Sequence, residues 1–298
     1  MFDSANKNTN LIKKILLLIE ITRFNRPIGS FLLLWPTLTA LAVADECGGD
    51  VTSGLILIFT IGTFLMRSAG CVINDWTDRD IDKYVERTKS RPITAGKLKA
   101  REVKVVVITL VGCSALLVLF TNAKTILISF IAILTTFVYP TLKRYTHWPQ
   151  AGLGITFSMG IPMAFTAADA PLSLVTLTLF IGNFFWVMAY DTVYAMIDRD
   201  DDSSIGIGST AILFGSRDIL AIFVFLILAT SFHIFVIRMI NFEFISLSFL
   251  IMAFLLNCFL FWTIRSRKND DCLKTFEKTH FYGLIFLLGL LTENFFNS

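Results

Sequence analysis

The chain has 298 residues, 55% of them hydrophobic, and a formal net charge of +3, with a mean hydropathy of +0.69. That is too apolar for a soluble enzyme and long enough for many membrane spans. The small positive charge belongs to membrane orientation, so no nucleic-acid partner is inferred.

In chain order, Leu11 to Phe24 reads as an amphipathic surface segment. Leu11, Ile15, Leu18 and Thr22 lie on one side, with Lys13, Lys14 and Glu20 elsewhere. Apolar runs of spanning length begin near Ile28, Thr52, Val103, Thr125, Ala151, Leu172, Ile219, Phe244 and Tyr282. They predict an all-α, polytopic bundle of nine transmembrane helices, a single membrane-embedded domain over residues 1–298. Lys and Arg gather in alternate loops: before Ile28, between Arg79 and Lys104, at Lys143 and Arg144, at Arg199 and Arg217, and from Arg265 to Lys278. The opposite loops hold only Lys124 and Arg238. This bias predicts that the N-terminus and both acidic stretches, residues 74–82 and 191–202, face the cytoplasm and that the C-terminus lies outside. MFDSANKNTN is polar and short, with no cleavable signal or Arg-rich transit pattern, which favours a bacterial inner membrane.

Arg26 precedes Pro27 at the start of the first span, where it is either a positive-inside anchor or a contact for an anionic head group. Arg67 lies two helical turns before Asn74 on the same stripe, and an arginine that deep in an apolar run needs an anionic partner. The second span then runs into NDWTDRDID, residues 74–82. On a continuous helix Asn74, Asp78 and Asp82 drift by only about 40° and share a face. Grouped carboxylates at the edge of a hydrocarbon phase are costly unless a cation compensates them. Mg2+ fits, because it binds one or two carboxylates together with substrate phosphate oxygens. For this stretch alone, a solvated acidic helix end is the alternative.

The loop from Lys83 to Arg101 is basic, and Pro92 and Gly96 should make it turn. It either lies on anionic lipid or closes over an anionic substrate as a lid. Tyr139 and Lys143, four apart around Pro140, share a face at the membrane rim. Gly152, Gly154 and Gly160 allow close helix approach or leave room for a ligand. Asn183, in the sixth span, must find a polar partner.

A second acidic stretch, DTVYAMIDRDDD, covers residues 191–202 and again ends an apolar run. Asp191, Asp198 and Asp202 stay within about 40° on a helical face. The repetition of the device hints at a duplicated four-helix unit and decides in favour of a cation site. Residues 205–215, IGIGSTAILFG, read as a flexible connector with an anion-holding turn. The three histidines and five cysteines show no ligand spacing, so neither a zinc site nor a disulfide framework is expected.

NDxxDxxxD from Asn74, RTKSRP from Arg87 and YxxxK at Tyr139 and Lys143 together resemble the UbiA superfamily of intramembrane prenyltransferases. Residues 191–215 and RPIGSFLLLWPTL near the start are most similar to its branch acting on 4-hydroxybenzoate. The resemblance runs from about Arg23 to the end of the chain. It implies a helix bundle around a central cavity, with two Asp-rich motifs holding Mg2+ and the diphosphate of a polyprenyl donor. Carried over, Asn74, Asp78, Asp82, Asp198 and Asp202 would hold metal. Arg67, Tyr139, Lys143, Asp191 and Tyr194 would lie close to the substrates, with Arg26 as a further anion contact.

The implied reaction is transfer of the polyprenyl group from polyprenyl diphosphate to 4-hydroxybenzoate, ortho to its hydroxyl, in ubiquinone biosynthesis. Arg67 and Lys143 would stabilise the leaving diphosphate, and Asp191 would orient the phenol or take a proton. The donor is held in lipid by about 0.8 kcal/mol per buried CH2, so the bilayer is itself a partner. Nothing in the sequence calls for an obligate protein partner. Two alternatives stay open: a different acceptor, such as dihydroxynaphthoate or haem, and a cation-coupled transporter.

Overall fold

The computed structural model describes the backbone of residues 2–297 and the side chains of residues 12–297. It is all-helical, with no strand among the described residues. The helices are α1 (Phe2–Thr22), α2 (Ile28–Glu46), α3 (Ser53–Asp78), α4 (Ala100–Val118), α5 (Ala123–Val138), α6 (Pro149–Ser158) and α7 (Gly160–Ala167). They continue with α8 (Leu174–Ile197), α9 (Arg199–Ser204), α10 (Thr210–Phe214), α11 (Asp218–Met239), α12 (Phe244–Thr263), α13 (Asn269–Thr279) and α14 (Phe281–Asn297). Short 3-10 turns cover Asp82–Tyr84 and Tyr139–Arg144.

Six helical stretches among the described residues are long and apolar enough to cross a membrane: Ile28–Glu46, Ser53–Asp78, Ala123–Arg144, Leu174–Ile197, Thr210–Met239 and Phe244–Ser266. Nine spans were expected, and the remaining three runs are helical but differ in kind. The first five residues of α4 include Arg101, Glu102 and Lys104, and α14 has only 17 residues. The run near Ala151 is two helices that part at Met159. Pro162 lacks the N–H that a continuous helix would offer to the Ser158 carbonyl, so the ladder is interrupted there.

α8 is the hub. It packs against α6, α11 and α13, and five consecutive residues from Trp186 to Tyr190 are buried. A helix apolar all round has to be surrounded, which is why α8 has no polar stripe along this part of its length. α3 lies between α2 and α4. The glycines work as close-approach sites. A Cβ at Gly154 would come within 2.7 Å of the Phe184 ring, and one at Gly160 within 2.6 Å of Thr37 Oγ1. Asn183 finds its partner in the Ser158 hydroxyl, to which it donates at 2.8 Å.

The connections at one end of the bundle are tied together: the Asp50 N–H donates to the Ala168 carbonyl at 2.7 Å, and Asn122 Nδ2 to Asp169 Oδ1 at 3.1 Å. The C-terminal ends of α3 and α8, which carry both acidic stretches, therefore meet at the other end. There α1 lies beside α3, with Ile21 buried against Val72, Ile93 and Leu98. The other side of α1 exposes Ile12, Ile15, Leu16 and Ile19, as an amphipathic surface helix should. Leu18 is partly buried in the packed cluster with Leu17, so the apolar stripe is split between protein and surroundings. The side chain of Leu11 lies outside the described residues.

Candidate active site

The ends of α3 and α8 enclose a cavity of about 190 Å³. α3 contributes Arg67, Cys71, Asn74 and Asp78, spaced four, three and four along one helical stripe. α8 contributes Asp191, Tyr194 and Ala195, and Asp198 follows as its C-cap. The 3-10 turn after α5 adds Tyr139 and Lys143, α6 adds Gln150 and Phe157, and the connector adds Gly208 and Ser209. Ten of the eleven residues singled out in the sequence thus share one cavity.

Arg26 is the exception: it is exposed and lies away from the cavity wall. α1 ends at Thr22 and Arg23 adopts a left-handed conformation, with φ 54. The reversed chain aims Arg23, three residues earlier, into the cavity.

Two helical-face expectations are corrected in their geometry. α3 stops at Asp78, the Ile81 N–H turns back onto the Asp78 carbonyl at 2.8 Å, and Asp82 reaches the cavity from a separate 3-10 turn closed by the Tyr84 N–H on the Ile81 carbonyl at 2.9 Å. α8 stops at Ile197 with Asp198 as its cap. Asp202 sits on the short α9, joined back by its N–H to the Asp198 carbonyl at 2.8 Å. In both stretches charge repulsion among neighbouring carboxylates works against a continuing helix. The acidic residues converge all the same, because each chain folds back over the same opening.

The site is a lattice of alternating charge. Lys143 Nζ lies 2.8 Å from Asp78 Oδ2. Arg91 Nη1 donates to Asp82 Oδ2 at 3.0 Å and to Asp75 Oδ1 at 2.9 Å, and Arg23 Nη2 donates to Asp75 Oδ1 at 2.6 Å. Arg87 grips Asp198 with two nitrogens, Nε to Oδ1 at 2.8 Å and Nη2 to Oδ2, and gives Nη1 to the Tyr194 hydroxyl at 2.7 Å. The basic loop therefore lies over the opening, with Arg87 on the second acidic stretch and Arg91 on the first. Arg23, Asp75, Arg87, Arg91 and Gln150 were not among the sequence candidates. Arg87 and Arg91 stand four apart inside RTKSRP, so the motif itself carried the signal.

Burial pushes the Asp82 carboxyl above the usual carboxylate range, in spite of Arg91 and Lys143. Burial and the neighbouring Asp198 push Asp202 up to about 7. Burial opposes the charge of Arg87, but Tyr194 and Asp198 outweigh it and hold its proton more tightly than usual. Deeper in, the Arg67 guanidinium lies 5.6 Å from the centre of the Phe157 ring, and its buried Nε makes no hydrogen bond.

The donor set suits a hard divalent cation. Asp78 lines the cavity, and its buried Oδ1 accepts no hydrogen bond, with Arg144 Nη2 3.8 Å away, so a lone pair is left without a donor. Among the described residues no three His, Cys, Asp or Glu side chains converge closely enough to form a complete metal cage. A site of one or two carboxylates completed by phosphate oxygens, the usual habit of Mg2+, matches this arrangement better than an all-protein cage.

The model of the UbiA prenyltransferase family matches residues 33–287. The chain belongs to the UbiA prenyltransferase family. A 4-hydroxybenzoate octaprenyltransferase of Pseudomonas savastanoi is 44% identical over 277 residues, covering 92% of each chain. One of Idiomarina loihiensis is 42% identical over 285 residues, covering 96% of this chain and all of its own. Among solved structures, an apo UbiA homologue from Aeropyrum pernix aligns with a TM-score of 0.76 at 21% identity, over 88% of this chain and 98% of its own. A UbiA homologue from Archaeoglobus fulgidus bound to GPP and Mg2+ aligns with a TM-score of 0.70 at 15% identity, over 93% and 98%. At these identities the solved structures speak for the UbiA fold, an integral membrane bundle.

Proposed function

We propose that this protein is a Mg2+-dependent prenyltransferase of the bacterial inner membrane. It moves a polyprenyl group from polyprenyl diphosphate to the carbon of 4-hydroxybenzoate ortho to the hydroxyl, as a step of ubiquinone biosynthesis. The observation that carries the reading is the pairing of two acidic stretches across one cavity, interleaved with Arg23, Arg87, Arg91 and Lys143. The names of the full-length relatives support the acceptor. The same names favour a transferase over the transporter alternative.

In the reaction the C–O bond of the allylic diphosphate breaks and diphosphate leaves with the electron pair. The ring carbon then bonds to the allylic carbon and loses its proton. Asn74, Asp78, Asp82, Asp198 and Asp202 would hold Mg2+, which when bound would supply charge neutralisation for the leaving diphosphate. Lys143, Arg87 and Arg91 are held on carboxylates in this structure. When a diphosphate enters they exchange one oxygen anion for another, so their charge is positioned in advance. Tyr139 and Tyr194 wall the same region. At the inner end Asp191 orients the phenol or takes a proton, with Arg67 near it.

The prenyl chain must lie in an apolar space. A second cavity of about 120 Å³ is lined by Ile58, Phe59, Gly62 and Met66 of α3, with Ser114 and Val118 of α4, Met159 at the α6–α7 break and Met163 of α7. It continues along α3 from the neighbourhood of Arg67, away from the acidic end, and we assign the chain to it.

The test is incubation of membranes carrying the protein with labelled 4-hydroxybenzoate and a polyprenyl diphosphate, with Mg2+ or with EDTA, followed by organic extraction. Label enters the lipid phase only with Mg2+. Transfer to dihydroxynaphthoate instead would move the enzyme to another quinone, and no transfer to any aromatic acceptor would end the reading.

A further inference from the structure

Asp218 is the first residue of α11 and is 0% exposed, yet it does not line the cavity. Its carboxylate accepts from Arg199, from Arg267 Nη2 at 2.8 Å and from Arg267 Nε at 3.1 Å. Arg267 is itself fixed: its backbone is left-handed, with φ 52, and its Nη2 also donates to the Ser216 carbonyl at 2.9 Å.

A buried carboxylate with charged partners is seldom retained for stability alone, because desolvation offsets most of the attraction. What this one does is join three segments: the α8–α9 junction through Arg199, the start of α11, and the turn between α12 and α13 through Arg267. The junction needs an anchor. The helix breaks at Asp198, whose φ of −101 and ψ of 6 are not helical, and α9 has only six residues. Within that segment Asp198 and Asp202 face the cavity, while Arg199 points away from it to Asp218. Arg87 holds Asp198 from the cavity side. Arg199 is the matching hold from behind.

We infer that Asp218, acting through Arg199, is a positioning residue for the second acidic pair and sets its affinity for divalent cation. The inference rests on the metal role proposed above. Outer partners of metal-binding groups commonly control affinity in this way, at about 10- to 100-fold per removed partner.

The test uses the full-length protein purified in detergent, with Asp218→Asn and Arg199→Gln as variants and Mn2+ as the spectroscopic probe. Two quantities are measured: amide hydrogen exchange over residues 198–208 in metal-free protein, and Mn2+ affinity by electron paramagnetic resonance. Both variants are expected to exchange faster over that segment and to bind Mn2+ about tenfold or more weakly, with exchange over α3 unchanged. If Asp218→Asn does not fold, Arg199→Gln decides alone, since it keeps the Asp218–Arg267 pair. A folded Arg199→Gln with unaltered exchange and unaltered Mn2+ affinity overturns the inference. A wild-type protein that binds no Mn2+ would defeat the metal reading instead, and the exchange measurement would still report on the anchor.

Discussion

Asp191 and Arg67 line the cavity without joining the ion-paired carboxylates, which is why the proposed reaction gives them the aromatic acceptor. Asp191→Asn should bind donor normally and turn over at least about a hundredfold more slowly, the range expected for loss of a general base. Pre-steady-state binding of a labelled donor beside steady-state turnover checks this; normal turnover would remove Asp191 from the chemistry. Gly29 makes a related prediction. A Cβ there would lie 2.5 Å from both Nε and Nη2 of Arg67, so Gly29→Ala must move the guanidinium while disturbing only the end of a flexible side chain. Expression should hold and turnover should fall by roughly tenfold, about 1.4 kcal/mol of transition-state stabilisation. For the proposed metal-binding set, Asp78→Ala or Asp198→Ala should abolish turnover with the protein still folded in the membrane. Full activity in either would overturn the assignment.

At the scale of elements, the sequence was most legible where a helix is regular. The stripe Arg67, Asn74, Asp78 and the stripe Asp191, Asp198 follow from a repeat of about 3.6 residues, and both face the cavity. It was least legible where helices end. A continuous helix placed Asp82 and Asp202 on the right side for the wrong reason, because the breaks at Asp78 and Asp198 depend on what the following residues bond to across the molecule. Arg26, beside Pro27, stays outside the cavity and Arg23 enters it, through a left-handed turn at Arg23 that no local pattern announces. The basic loop read as a lid or a lipid contact; its geometry, with Arg87 on Asp198 and Arg91 on Asp82, places it over the cavity. Arg87→Ala would free Asp198 and untie one end of the loop. It should raise the donor KM about tenfold or more, the scale of a lost charge-assisted bidentate contact worth roughly 1.5–3 kcal/mol. A KM that stays put would make the loop a lipid contact after all.

At the scale of the whole molecule, the fold separates two solvents for one substrate. The charged cavity at the joined ends of α3 and α8 suits a diphosphate, and the apolar cavity further along α3 suits the chain attached to it. The division predicts a chain-length effect that the acidic site alone would not produce. Gly62 faces open space, with nothing within 4 Å of a Cβ built on it, so Gly62→Phe adds bulk to the apolar cavity without a backbone clash. With a donor of one or two isoprene units the variant should turn over as the wild type does. With a long donor it should lose about tenfold or more, the order set by one misfit group in an apolar pocket. Parallel assays with short and long diphosphates, normalised to the amount of folded protein, give the comparison. Equal losses for both lengths would mean that the substitution acts through the acidic site, whereas no loss for either would send the chain out of the bundle by another route. Only a length-dependent loss fits a chain lying along α3.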